Sequence, residues 1–181
     1  MAFAMATLAT LLGIAIPPML AGLDDARASS AARYLAGQLG RARFEAVRRS
    51  TFVGLRFQPG TPDYVFTKVV DGNDNGLRTS EIARGVDRTV TPPAQLAWDF
   101  PGVTFGLLPG VPGIDGALDD TDGIHVGVSG ILSMNPNGSS SSGTLYLHGR
   151  KGTQYAVRVL GATGRVRVLE YQRGRRQWVD R

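Results

Sequence analysis

Seven cationic side chains in the last third of the chain, Arg150, Lys151, Arg165, Arg167, Arg173, Arg175 and Arg176, carry the most obvious chemistry. An arginine fork makes two charge-assisted hydrogen bonds to a phosphate, so this set suits an anionic partner. From His148 onward nine Lys or Arg stand against two acids, Glu170 and Asp180, whereas residues 110–147 carry Asp115, Asp119, Asp120 and Asp122 and no Lys or Arg. The tail is therefore a candidate anion-facing surface. A solvated basic face explains the same residues. Binding of DNA by such a surface would be sequence-independent and steeply salt-sensitive. Tyr171 and Trp178 are available to stack on bases, although Trp178 equally suits packing against a sheet.

A second constellation is Asp71-Gly72-Asn73-Asp74-Asn75-Gly76. Oxygen ligands at the first, third and fifth places (Asp71, Asn73, Asn75) with glycine at the sixth imitate a calcium loop. The twelfth place is Ile82, where a bidentate glutamate is required, and Glu81 misses by one. A plain Asn/Gly/Asp turn explains the loop without a metal. His125 and His148 lack the spacing of a metal pair. Asp119, Asp120 and Asp122, between Gly116 and Gly123, read as a surface turn. No nucleophile elbow, phosphate-cradling glycine loop or dinucleotide fingerprint is present, so no enzyme activity and no cofactor are expected. The absence of cysteine removes thiolate chemistry altogether.

The elements that would hold these residues divide the chain into three parts. Residues 1–23 carry no charged side chain, and a helix of that length reaches about 30 Å, the thickness of a bilayer core. Leu8, Leu11, Leu12, Ile14, Ile16 and Pro17 are its candidate anchor residues, with a kink or unwound turn expected at Pro17-Pro18. The competing reading is a cleavable signal peptide processed at Ala26-Arg27-Ala28, against which no basic stretch precedes the apolar run. Residues 24–50 continue the helix: Ala28, Ala32, Leu35, Leu39, Ala42 and Ala46 recur at intervals of three and four and form one apolar face.

Residues 51–181 read as a β-rich head, with 24 Gly and 10 Pro in the chain predicting many turns. Strands are expected at Thr51–Phe57, Tyr64–Val70, Gln95–Trp98, Val103–Leu107, Gly123–Val128, Gly143–His148, Gln154–Leu160 and Arg165–Tyr171. Alternation of Arg165 and Arg167 with Val166 and Val168 places both arginines on one outward face. Asn135–Gly143 reads as a flexible hairpin-type loop. The fold class is α+β, with a long N-terminal hydrophobic helix packed on an antiparallel β-rich head.

The order of these parts resembles the GspH/FimT-type minor pseudopilins and pilins. The resemblance rests on Ile14-Ala15-Ile16-Pro17, on Ala32-Arg33-Tyr34-Leu35, and on the basic helix end Arg41 to Arg49. It continues through the Asp71–Gly76 turn, Asn135-Pro136-Asn137-Gly138 with Gly143-Thr144-Leu145-Tyr146-Leu147, and the near-terminal Thr163-Gly164-Arg165-Val166-Arg167. It implies a pilin-like, single-pass inner-membrane protein with its head in the periplasm or outside, assembled into a pseudopilus or type IV pilus. Its partners would be other pilin or pseudopilin subunits and the inner-membrane assembly machinery. The primary expectation is a structural role in type II secretion. The alternative is a minor pilin that captures DNA for transformation through a Gly-Arg-x-Arg element at Arg165 and Arg167. The family's basic leader, Gly-Phe cleavage site and early glutamate are not in this sequence. Counting back from Pro17 puts the glutamate just before Met1, so the natural coding region is expected to start upstream.

Overall fold

The computed structural model of the protein describes residues 2–116 and 121–181, with side chains described from Ala21 onward. The side chains of the anchor residues Leu8 to Pro17, and Asp119 and Asp120, lie outside what is so described, whereas the N-terminal helix is continuous through Pro17-Pro18, where the sequence predicts an unwound turn. A single helix, α1 (Ala2–Arg49), is followed by strands β1 (Val53–Gln58) and β2 (Val65–Val70) and a short helix α2 (Thr79–Ala83). Then come β3 (Arg88–Thr89), α3 (Leu96–Asp99), β4 (Thr104–Phe105), β5 (Ile124–His125) and β6 (Ile131–Met134). The chain ends in a meander, β7 (Gly143–His148), β8 (Gln154–Leu160), β9 (Arg165–Gln172) and β10 (Gln177–Asp180). All strand pairs are antiparallel.

The strands form a four-stranded sheet, β3-β2-β1-β6, and a larger one, β10-β9-β8-β7-β4, with β5 beside β4 along the same edge of β7. Helix α1 packs on both sheets. Its stripe Ala28, Ala31, Ala32, Leu35, Leu39, Ala42 and Ala46 is fully buried, spaced by threes and fours apart from the adjacent pair Ala31 and Ala32, as a single core-facing helix face requires. Alanines dominate that stripe, and Leu35 and Leu39 share one continuous core with Val53, Leu132, Leu145 and Val157. Among the described residues both core clusters draw on residues 28–178.

Helix α1 ends where Ser50 turns to a left-handed backbone (φ 55°). The chain read as strand at Gln95–Trp98 is instead one helical turn, with Phe100 N–H returned to Leu96 O at 2.8 Å. Gln95 is pulled inward, its side-chain amide donating to Thr61 O and Asp63 O, and only Ala94 bridges to Phe66. Two expected strands shrink to two residues. β4 stops at Gly106 (φ 151°), and β5 gives way to a turn with Gly127 at φ 78°. Strands β3, β6 and β10 and helix α2 are elements the sequence pattern did not reveal. The Asn135–Gly143 loop is ordered by hydrogen bonds, including Asn135 N–H to Ser139 O at 2.8 Å and Ser140 N–H to Gly161 O at 2.8 Å.

Candidate functional site

The seven cations singled out by sequence do not form one patch. Consecutive strands of the β7–β10 meander turn back on themselves. The β7–β8 and β9–β10 turns therefore fall at one end of the head and the β8–β9 turn at the other. Arg150, Lys151, Arg173, Arg175 and Arg176 are all exposed at the first end. Arg165 is exposed at the second, and Arg167 lies between. The two ends are fixed to α1 at Asp24 and at Arg43 respectively, about 28 Å apart along a helix rising 1.5 Å per residue.

At the first end the helix grips the sheet with carboxylates. Asp24, only 8% exposed, accepts the backbone N–H groups of Arg150 and Lys151, both at 2.9 Å, and the Thr153 hydroxyl at 3.1 Å. Gly149 makes that approach possible, since a Cβ there would stand 2.3 Å from Asp24 Oδ2. The neighbouring Asp25 accepts the Tyr155 hydroxyl at 2.8 Å. Burial, then the hydrogen bond and charge of Asp25, push the Tyr155 phenol up to about 12. Asp24 lies in register with Ala28, Ala31 and Leu35, so it sits on the buried stripe itself. An acid on an apolar stripe was the signal in the sequence for this clamp, and the spacing argument passed over it.

The second end is held by one cation and left partly open. Arg43 donates through Nε to Gly138 O at 2.9 Å. Gly164, at φ 62°, comes so close that a Cβ would stand 2.4 Å from Gly138 O and 2.8 Å from Arg43 Nε. The glycine of the Gly164-Arg165-Val166-Arg167 element is thus required by a left-handed turn packed between helix and hairpin. Beside it opens a groove of about 550 Å³, lined by Arg43, Phe44, Val47, Gly164, Arg165 and Val166. Phe44 is 71% exposed on its rim, although it belongs to a helix whose opposite face is fully buried.

Arg165 and Arg167 do share the outward face of β9, while Val166 and Val168 pack on the core. Arg167 is committed within the chain, reaching Asp180 Oδ2 through its Nε (3.1 Å) and a terminal nitrogen (2.8 Å). Its cross-strand neighbour Arg158 pairs with Asp115 at 2.7 Å. Among the described residues no ion pair engages Arg150, Lys151, Arg165, Arg173, Arg175 or Arg176. Tyr171 and Trp178 pack against each other at a 59° tilt with centroids 5.4 Å apart, and the Trp178 indole N–H donates to Pro112 O at 2.9 Å, so both rings serve the outer face of the sheet.

The Asp71 loop organises itself. Asp71 accepts the N–H groups of Asn73 (2.9 Å), Asp74 (3.0 Å) and Gly76 (2.6 Å), while Asp87 accepts those of Gly72 and Arg78. The amides of Asn73 and Asn75 reach Glu81. Asp71, Glu81 and Asp87 are buried, and the N–H donors around them compensate the loss of water as an Asx-type turn does. Asp71 therefore directs both oxygens at backbone N–H groups, and the loop reads as a turn. No group of three or more His, Cys, Asp or Glu among the described residues could hold a metal.

A family profile described as type II transport protein GspH matches residues 31–164, most of the chain. The chain belongs to the GspH family. The match runs from the buried stripe of α1 through Gly164, so both fixed ends of the helix–sheet seam, except Asp24 and Asp25 themselves, fall within it. No curated protein and no solved structure matches the chain. Membership of the GspH family makes the protein a structural, pseudopilin- or pilin-type component of type II transport. Among the described residues no helix is long and apolar enough to cross a membrane.

Proposed function

We propose that the protein is a minor pseudopilin that is anchored in the inner membrane by residues 1–23 and enters a pseudopilus through α1. The observation that carries this is the division of one helix. Among the described residues its head-facing contacts run from Asp24 to Ala46, while the residues before Asp24 bear no charge and belong to the same helix. A helix so divided suits both lipid and a bundle of like helices. Its head-bound half keeps a second, outward face, where Phe44 and Val47 remain exposed beside the groove. We take that face as the contact with a neighbouring pseudopilin subunit, the inner-membrane assembly machinery acting on the anchor. The role is mechanical, with no catalytic step.

Capture of DNA has less support. Its candidate residues divide between two ends of the head, and the fork of Arg167 is engaged by Asp180.

The test is complementation of a strain lacking this protein, read as release of a type II substrate from the periplasm. The full chain should restore release and sediment with inner membranes. A Leu12→Arg variant, which places a cation where it costs about 3 kcal/mol at a bilayer centre, should fail at both. Unimpaired secretion in the deletion strain would refute the role.

A further inference from the structure

The five cations at the first end have an arrangement that a merely soluble surface does not require. Helix α1 leaves the head there: Asp24, which holds the β7–β8 turn through the N–H groups of Arg150 and Lys151, directly follows the uncharged run that closes at Leu23. The neighbouring turn is drawn in beside it. The Arg173 guanidinium lies 3.2 Å from where a Gly152 Cβ would stand, which puts the β9–β10 turn against the β7–β8 turn. Arg173 and Arg176 also line one hollow of about 160 Å³ with Pro109, Val111 and Tyr171. The two acids that α1 brings to this end are used internally, Asp24 by backbone N–H groups and Asp25 by the Tyr155 hydroxyl. Among the described residues the five cations therefore stand outside any ion pair at the end of the head that faces back along the uncharged helix.

We propose that this end is a lipid-facing surface, on which Arg150, Lys151, Arg173, Arg175 and Arg176 engage the phosphates of anionic phospholipid while the chain is membrane-anchored. The inference rests on the reading of residues 1–23 as the anchor. If that helix spans the bilayer, Asp24 lies at the headgroup level and the five side chains, emerging from two turns at that same end, reach the surface together. A cation near an anionic leaflet contributes about fivefold to partitioning, so five acting jointly hold the head down against its own rotational freedom. Extraction of the subunit from the membrane then breaks these contacts and presents the same cations to neighbours in the filament. Duplex DNA offers phosphates too, but its recognition calls for a tract of cations along one face, and Arg165 stands at the opposite end of the head.

The test uses two forms of the protein. The fragment 21–181, which contains the whole described core, is titrated against vesicles of phosphatidylcholine and of phosphatidylcholine mixed with phosphatidylglycerol, at low and physiological salt. It should sediment with the phosphatidylglycerol vesicles alone and be released by salt. Replacing Arg173, Arg175 and Arg176 together by alanine should weaken binding by about a hundredfold, three cations at about fivefold each. An Arg165→Ala/Arg167→Ala variant should bind as the parent does. Equal binding to both vesicle types, indifference to the triple replacement, or tighter binding to duplex DNA through the same three arginines would overturn the proposal. In parallel the full chain is washed with carbonate on native membranes. A chain that stays in the membrane while the fragment ignores phosphatidylglycerol sinks the lipid-facing surface and leaves the anchor standing. A chain released by the wash removes the anchor, and the orientation falls with it.

Discussion

The two ends of the helix–sheet seam solve the same problem with opposite chemistry. At the first, a buried acid on α1 is matched to backbone N–H groups in the β7–β8 turn, and Asp25 meets the Tyr155 hydroxyl. At the second, a cation on α1 meets a single backbone carbonyl, and the helix keeps Phe44 and Val47 in the open. Burial of Asp24 makes the first arrangement exacting, because its carboxylate depends on those N–H groups in place of water. The second tolerates change, because solvent is at hand. The first end is therefore the more tightly fastened of the two, while the far end leaves an open groove beside Phe44 and Val47.

Breaking the contrast at its stronger side has the largest expected effect. Asp24→Ala removes three hydrogen bonds and leaves the Arg150 and Lys151 N–H groups without their acceptor, which should cost about 3 kcal/mol of stability. Gly149→Ala should cost nearly as much, since its Cβ would stand 2.3 Å from Asp24 Oδ2 and 2.6 Å from Thr153 Oγ1. Denaturant unfolding of the fragment 21–181 measures both. A loss under half a kcal/mol in either would show that the clamp is not what fixes the helix here.

Next in size is Tyr155→Phe, which deletes the hydroxyl that Asp25 accepts and should cost about 1.5 kcal/mol. It also has a pH signature. The Tyr155 phenol is raised from 10.0 to about 12 in the folded protein. A raised folded value contributes stability that is complete below the unfolded value and is lost as pH climbs to the folded one. The wild-type head should therefore lose up to about 2 kcal/mol between pH 10 and pH 12, a decline that the phenylalanine variant should largely lack. Parallel curves for the two proteins over that window would separate Tyr155 from the alkaline transition.

At the weaker end Arg43→Ala removes one hydrogen bond, to Gly138 O at 2.9 Å, and should cost about 1 kcal/mol. Arg43→Lys should recover little of it, because the bond uses the Nε of a planar fork that lysine lacks. A loss equal to that of Asp24→Ala would erase the asymmetry between the ends.

The contrast also marks what was legible in the sequence. Local periodicity sufficed for the α1 stripe, every expected position of which, Ala28 to Ala46, is buried, and for the long strands β1, β2, β7, β8 and β9. It failed where pairing comes from far away or lasts only a few residues. β6 owes its place to β1, about eighty positions earlier, and β10 pairs only with the outer edge of β9. At Gln95–Trp98 the buried Gln95 amide, holding two carbonyls of the 61–63 segment, overrode a pattern that suited a strand. The cationic residues stand out by type alone, and their division between two ends depends on the meander's turns, which alternation within a single strand does not encode. The Asp24 clamp joins positions more than 120 residues apart, and only the presence of an acid on an apolar stripe hinted at it.

The smallest effect on stability is also the sharpest on function. Phe44 is 71% exposed, so Phe44→Ser removes little buried area and should shift stability by no more than about 0.5 kcal/mol. If the face beside the groove contacts a neighbouring pseudopilin, the same change should sharply reduce photo-cross-linking from a benzophenone maleimide carried on an engineered cysteine at Val47 to neighbouring subunits in membranes, with no change in the amount of membrane-bound protein. Such an outcome separates the two ends by kind, one answering to stability and the other to assembly. Undiminished cross-linking would place the subunit contact elsewhere on the head. A large loss of stability would instead show that the exposed ring supports the α1 end itself, and the open groove would then belong to the fold and not to a partner.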